Sequence, residues 1–223
     1  VEEIVIRRYH PRDREQVRIL CCETGFLGNP IDDIFEDRAW FADLNTNYYL
    51  QYEPRSCFVA EKNGSILGYV LCSRHPLRFA LIFYLFIAFP LFTKALFKCL
   101  TRRYSAKSRK FIYRLITRGS LERPKRPRAT AHLHLNVKEG FRGMGLGRRL
   151  VETLFDYLVK EGVRGIYGEL TFVESRQSEQ IYTKHGFLIY DKRPTSIWGK
   201  LERKTYLMCI KMDLRNWAKR KEK

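Results

Sequence analysis

Three glycines at alternate positions, Gly143, Gly145 and Gly147, stand among arginines in the run Arg142-Gly143-Met144-Gly145-Leu146-Gly147-Arg148-Arg149. Glycines so spaced let the main chain approach a ligand closely. A helix starting at such a turn adds free N–H groups and the positive end of its dipole. The chemistry this pattern suits is the cradling of a pyrophosphate, with Arg142, Arg148 and Arg149 supplying nearby charge. Two familiar phosphate motifs fail on spacing. A dinucleotide fingerprint counted from Gly143 and Gly145 needs its third glycine at position 148, which is Arg148, and no Gly-Lys-Ser/Thr follows the turn as a P-loop requires.

The elements that must hold this cradle follow from periodicity. Residues 3–9 alternate at period two, a strand. Val17, Leu20 and Cys21 recur at helical spacing in a predicted helix over residues 11–23. A second helical stretch, residues 32–52, follows Asn29-Pro30 and carries Phe35, Trp40, Phe41, Tyr48 and Tyr49, some of which are expected to line a groove. Residues 56–61 and 66–73 flank Asn63-Gly64 as a hairpin. Residues 79–93 hold no charge, but the run is shorter than the roughly 20 apolar residues a spanning helix needs, and Pro90 is expected to break it. The basic stretch 101–128, interleaved with Tyr104, Phe111, Tyr113 and Leu115, predicts an amphipathic helix and a return linker. Residues 131–137 form a strand leading into the glycine turn. The helix after the turn sets Leu146, Leu150, Leu154 and Leu158 four apart and stops at Gly162. A strand over 163–172, a helix over 175–185 ended by Gly186, and strands over 187–191 and 205–213 complete the chain.

Strand, Arg-x-x-Gly-x-Gly (Arg142, Gly145, Gly147), helix, strand, then a helix ending Ile181-Tyr182-Thr183-Lys184-His185-Gly186-Phe187: in order and spacing this resembles the GNAT superfamily of N-acetyltransferases. The first strand, the Pro11-Arg12-Asp13 helix start and the Asn-Gly hairpin also fit, so the resemblance covers about three quarters of the chain. It implies an α/β GNAT fold: a mixed central sheet of six or seven strands flanked by helices. Residues 77–128 are an apolar and basic helical insertion between strands three and four of one N-acetyltransferase domain, 1–223. It also implies acetyl-CoA as cosubstrate, and no metal. Main-chain groups of Leu135, Asn136 and Val137 would hold the pantetheine arm between strands four and five. Gly143, Met144, Gly145, Leu146, Gly147 and Arg148 would hold the pyrophosphate. Ser175 stands where many relatives have an asparagine at the cofactor; its hydroxyl keeps a hydrogen-bond donor there.

The reaction implied is transfer of an acetyl group to a primary amine in a ternary complex. A lysine-like amine has a pKa of about 10.4, so a base or a water path must take a proton. Tyr182 matches the tyrosine that protonates the departing thiolate, and an N–H of Leu135 or Val137 would stabilise the oxyanion. For the base, His132 and His134 project from one face of a strand and titrate near neutrality. Relatives with a base on this strand place it at positions matching Ala131 or Leu133, on the other face. Glu169 and Glu174 are the alternatives. The catalytic candidates are therefore Tyr182, His134 and Glu169.

Composition bounds the rest. Six cysteines without C-x-x-C spacing or partnering histidines read as reduced thiols rather than a metal site. The acidic opening Val1-Glu2-Glu3 lacks the order of a secretory signal, so a cytoplasmic protein is expected. The net charge of +18 is localised: residues 77–128 carry fourteen Lys and Arg against one acid, Glu122, a balance of +13. That insert suits an anionic membrane surface, on the inner face, or an acidic partner. It could equally cover the core or a homodimer partner. Nucleic acid is disfavoured, because no recognition motif accompanies the charge. A non-catalytic acetyl-CoA-binding or partner-binding domain of the same fold is the alternative to an enzyme. The acceptor is expected to be an amine-bearing small molecule or protein, chosen by the first helices and the insert.

Overall fold

The computed structural model describes residues 3–128, 130–174 and 178–221. Seven strands form one mixed sheet in the order β1-β2-β3-β4-β5-β7-β6. They are β1 (Val5–Arg8), β2 (Phe58–Lys62), β3 (Ser65–Ser73), β4 (Ala131–Val137), β5 (Gly165–Val173), β6 (Leu188–Pro194) and β7 (Thr205–Asp213). Asn63 and Gly64, at φ 51° and 76°, close the β2–β3 hairpin with Lys62 facing Ser65, the left-handed pair that a two-residue turn needs.

One feature of the sheet creates the site. β4 and β5 are its parallel pair, and they are bonded only at Ala131–Ile166, His132–Tyr167 and Leu133–Gly168. Both strands run on, β4 paired to β3 as far as Val137 and β5 to β7 as far as Val173. Beyond Leu133 and Gly168 the sheet therefore opens as a V.

The period of two sorts side chains onto two faces. Leu133, Leu135 and Val137 of β4 pack with Leu150, Leu154 and Leu158 of α6 (Leu146–Lys160). The opposite face of the sheet, with Tyr69 and Leu71, packs against α1 (Arg14–Glu23) and α2 (Arg38–Tyr52). A C-terminal helix, α8 (Leu214–Lys221), gives no sign in the period-two pattern before it. Its Trp217 donates to Asp156 of α6 at 2.9 Å and meets Phe155 edge-on.

Between β3 and β4, α3 (Pro76–Ile82), a π turn (Phe83–Ala88) and α4 (Phe89–Leu100) make one helix of 25 residues. Pro90 does not break it, which corrects the sequence expectation. Proline lacks an N–H and crowds the carbonyl one turn back. The wider turn just before it lets the chain pass without a break. α5 (Ala106–Arg118) follows.

This insert is bolted down. Asp37 caps α2 at Trp40 N (3.0 Å) and also accepts from Lys98 Nζ (2.6 Å) and Tyr104 Oη (2.7 Å). Trp40 Nε1 donates to the Leu91 carbonyl at 2.7 Å. Phe35 sits among Trp40, Tyr104 and Phe111 with ring centroids 5.2–5.4 Å away, a range in which aromatic pairs attract. At the far end the insert's one acid, Glu122, accepts from Ser196 N and Oγ, both at 2.7 Å, and from Thr195 Oγ1 at 3.0 Å.

Candidate active site

A cavity of about 1100 Å³ runs from the V between β4 and β5 to the space between α2 and the insert. At its first end lie Leu135, Asn136, Val137, Arg142, Gly147 and Tyr182. At its second lie Trp40, Phe41, Phe83, Phe111, Arg123 and Trp198. The aromatic helix over 38–52 thus lines the expected groove.

The glycine turn is shaped for a ligand at the main chain. Gly143 and Gly145 hold φ 78° and 76°, and a Cβ on either would meet nothing within 4 Å, so conformation rather than crowding requires glycine here. No side chain caps α6, whose N-cap is Gly145, and its first-turn N–H groups are left for an anion. Leu146 faces the core and Met144 faces outward, so neither side chain serves the cradle. Arg142 is held by the carbonyls of Val137 (2.9 Å) and Gly28 (2.8 Å), which makes it a clamp on the loop rather than an unpaired cation. Gly28, at φ 92°, is required beneath it: a Cβ there would lie 2.8 Å from Arg142 Nη1. Arg148 pairs with Glu152 at 2.7 Å. Ser175 lies outside the described residues.

Tyr182, on α7 (Gln180–Lys184), faces the cavity half-buried, and burial raises its pKa. Its hydroxyl is protonated at neutral pH. His134 also faces the cavity. Its Nδ1 is buried with no hydrogen-bond partner among the described residues, and burial lowers its pKa to about 4. His132, one pleat deeper, is committed to structure. Tyr49 Oη lies 2.7 Å from its Nδ1, the Tyr167 ring lies 4.7 Å away, and burial lowers its pKa to about 3.

Glu169 reaches the cavity from β5. Burial would raise its pKa, but the bond to Arg126 and the charges of Arg126 and Arg123 prevail and hold it below the usual range. An ionised carboxylate between two guanidiniums orders the wall and is a poor base. Glu174 does not line the cavity; its main-chain N–H bonds to the Lys204 carbonyl. The structure therefore brings Tyr182, His134, Glu169 and the β4 main chain onto one cavity. Sequence periodicity gives no sign of Trp198 or of the Arg123–Glu169–Arg126 group. Trp198 is placed by tertiary contacts alone, stacking on Phe111 at 6.2 Å and bonding to Thr171 at 3.1 Å.

Comparison with known proteins matches residues 113–187 to the model of the acetyltransferase (GNAT) family. No curated protein matches the chain. Among solved structures, SsHAT superposes with TM-score 0.64 at 21% identity, covering 95% of this chain and 98% of that one. The yncA protein of Salmonella typhimurium, solved with its cofactor acetyl-CoA, gives 0.52 at 17%, covering 95% and 94%. A polyamine N-acetyltransferase of Drosophila melanogaster gives 0.55 at 15%, covering 95% and 100%.

Proposed function

We propose that the chain, which matches the GNAT acetyltransferase family over residues 113–187 and shares the fold of GNAT acetyltransferases, acetylates a primary amine borne on an apolar or aromatic body. The observation that carries the proposal is that one cavity joins the open β4–β5 V and the uncapped start of α6 to an aromatic chamber, with Tyr182 and His134 on its wall.

The residues present suit acetyl-CoA. The α6 N–H groups and the main chain of residues 143–148 would hold the pyrophosphate, and the free edge of β4 over Leu135, Asn136 and Val137 the pantetheine arm. When bound, acetyl-CoA supplies an acetyl group on a thiol leaving group. Tyr182 Oη holds a proton for that sulfur. Trp40, Phe41, Phe111 and Trp198 exclude water around the acceptor and bind its apolar body. His134, neutral and on the cavity wall, is the residue we assign to take the proton that the acceptor nitrogen sheds once the new N–C bond forms. Direct transfer in a ternary complex accords with a single continuous cavity.

The test is release of free thiol from acetyl-CoA across a panel of arylalkylamines, polyamines and amino sugars. Arylalkylamines are expected to react fastest. Acetyl-CoA binding without turnover on any amine would leave a binding domain, and no binding at all would remove the proposal.

A further inference from the structure

Between Lys62 and Leu121 the chain holds no acidic residue. Through this stretch runs the Pro76–Leu100 helix, long and apolar enough to cross a membrane, yet only 22% of its most apolar window is buried. One side of it is accounted for. Ile87, Ala88 and Ala95 are buried, Phe83 lines the cavity, and Leu91 and Lys98 are bonded to α2 and its cap. The other side carries Leu77, Leu81, Leu85, Phe89, Phe97 and Leu100, from 56% to 88% exposed. A spanning orientation would peel the helix away from Trp40 and Asp37 and open the cavity. Lying flat, the helix keeps all of these contacts. Its length, about 37 Å at 1.5 Å per residue, would then present the whole greasy side to one surface.

Cations mark both ends and the middle of that side. Arg78, Lys94, Arg102 and Arg103 are exposed, and none of the ion pairs among the described residues involves them. Arg103 lies over the Phe97 ring at 5.7 Å. An apolar helix face bordered by cations is the pattern of an interfacial helix on anionic lipid. A second copy of the chain fits worse, since joining two copies through this face would bring two segments of +13 together.

We propose that the Pro76–Leu100 helix docks the protein flat onto an anionic membrane surface. Its exposed leucines and phenylalanines enter the acyl boundary, and Arg78, Lys94, Arg102 and Arg103 reach the headgroups.

The full chain would be sedimented with phosphatidylcholine vesicles, with and without about a third phosphatidylserine, at about 0.1 M and 0.5 M salt. Binding is expected on the anionic vesicles and is expected to weaken about tenfold at the higher salt. L85E/F89E is expected to lose about a hundredfold in partitioning, since each side chain contributes burial worth about tenfold or more. R102Q/R103Q is expected to lose about 25-fold, roughly fivefold per charge. Unchanged melting in lipid-free buffer checks that both variants fold. A Phe89→Trp variant should shift its emission to the blue on anionic vesicles. The proposal is overturned by absence of vesicle binding, by equal binding to neutral and anionic vesicles, or by equal binding of wild type and L85E/F89E. A dimer that L85E/F89E dissolves, with no vesicle binding, would assign the face to a second copy instead.

Discussion

Acidification from pH about 7 to about 4.5 should destabilise this protein steeply through two side chains, His132 and His134. In the folded chain burial lowers them to about 3 and about 4. In the unfolded chain both return to about 6.5. Between those values the unfolded state binds more protons, so stability rises with pH and falls on acidification. Each histidine contributes about 1.4 kcal/mol per pH unit across that window. At pH about 4.5 the pair would have removed about 5 kcal/mol, or about 4 if the cavity side of His134 is wet, out of a total of roughly 5–15. Carboxylates held low in the fold, Asp13, Asp37 and Glu169 among them, are stabilising above their usual values near 4. They lose that contribution progressively as pH falls from about 5 through their folded values, overlapping the lower part of the histidine window. Urea unfolding followed by circular dichroism at pH about 7, 5.5 and 4.5 measures the slope. In H132N/H134Q, where the amide carbonyl introduced at position 132 can still accept from Tyr49, the slope between 6.5 and 4.5 should flatten to within about 1 kcal/mol. A flat wild type, or a double variant that falls as steeply, would refute the reasoning.

Tyr182→Phe should lower kcat about a hundredfold or more while leaving acetyl-CoA affinity within about twofold by calorimetry, because only the proton on Oη is lost. Gly28→Ala places a Cβ 2.8 Å from Arg142 Nη1 at φ 92°, so the clamp on the glycine turn should slip. Acetyl-CoA Kd is expected to rise about tenfold, with about 1–2 kcal/mol lost in urea unfolding. Asp37→Ala removes the α2 cap and the partner of Lys98 and Tyr104 together. A loss of about 3 kcal/mol is expected, seen as a Tm lower by about 6–12 °C in scanning fluorimetry.

Much of this architecture was legible because local rules and tertiary outcome agree. The alternation in β4, the Asn63-Gly64 turn and the four-residue spacing of leucines in α6 each express a constraint contained within a few neighbouring residues. The V between β4 and β5 follows from the family resemblance alone, since nothing in either strand records where their pairing ends. Side-chain roles were less legible. Arg142 looks like a phosphate cation in sequence, and only the loop carrying Gly28, far away in the chain, turns it into a clamp. His132 and His134 share one strand face and residue type. Tyr49, from α2, ties up the first, and the Nδ1 of the second has no hydrogen-bond partner among the described residues. Pro90 misleads in the opposite direction: it is a reliable local breaker, and here the π turn beside it preserves the helix.

On the proposed reaction, the aromatic end of the cavity also constrains how the amine arrives. Glu169 is flanked by Arg126 and Arg123, a local balance of one positive charge, and neither histidine adds an anion. An ammonium ion is disfavoured there; a neutral amine is not. His134, at about 4, lies about six pH units below a lysine-like ammonium, so stripping that proton before attack would be uphill by about 9 kcal/mol. It can serve only after attack, when the acceptor nitrogen has become far more acidic. Thus kcat/KM should climb about tenfold per pH unit from about 6.5 to about 9, following the neutral amine fraction. His134→Gln should lower kcat at every pH and leave that slope intact. An arylalkylamine whose own pKa is one unit lower should react about tenfold faster at pH about 7 and reach its plateau one unit earlier. A profile that levels off near pH 6–7 whatever the amine would instead mean that an enzyme group removes the proton before attack, and the charge argument would fail.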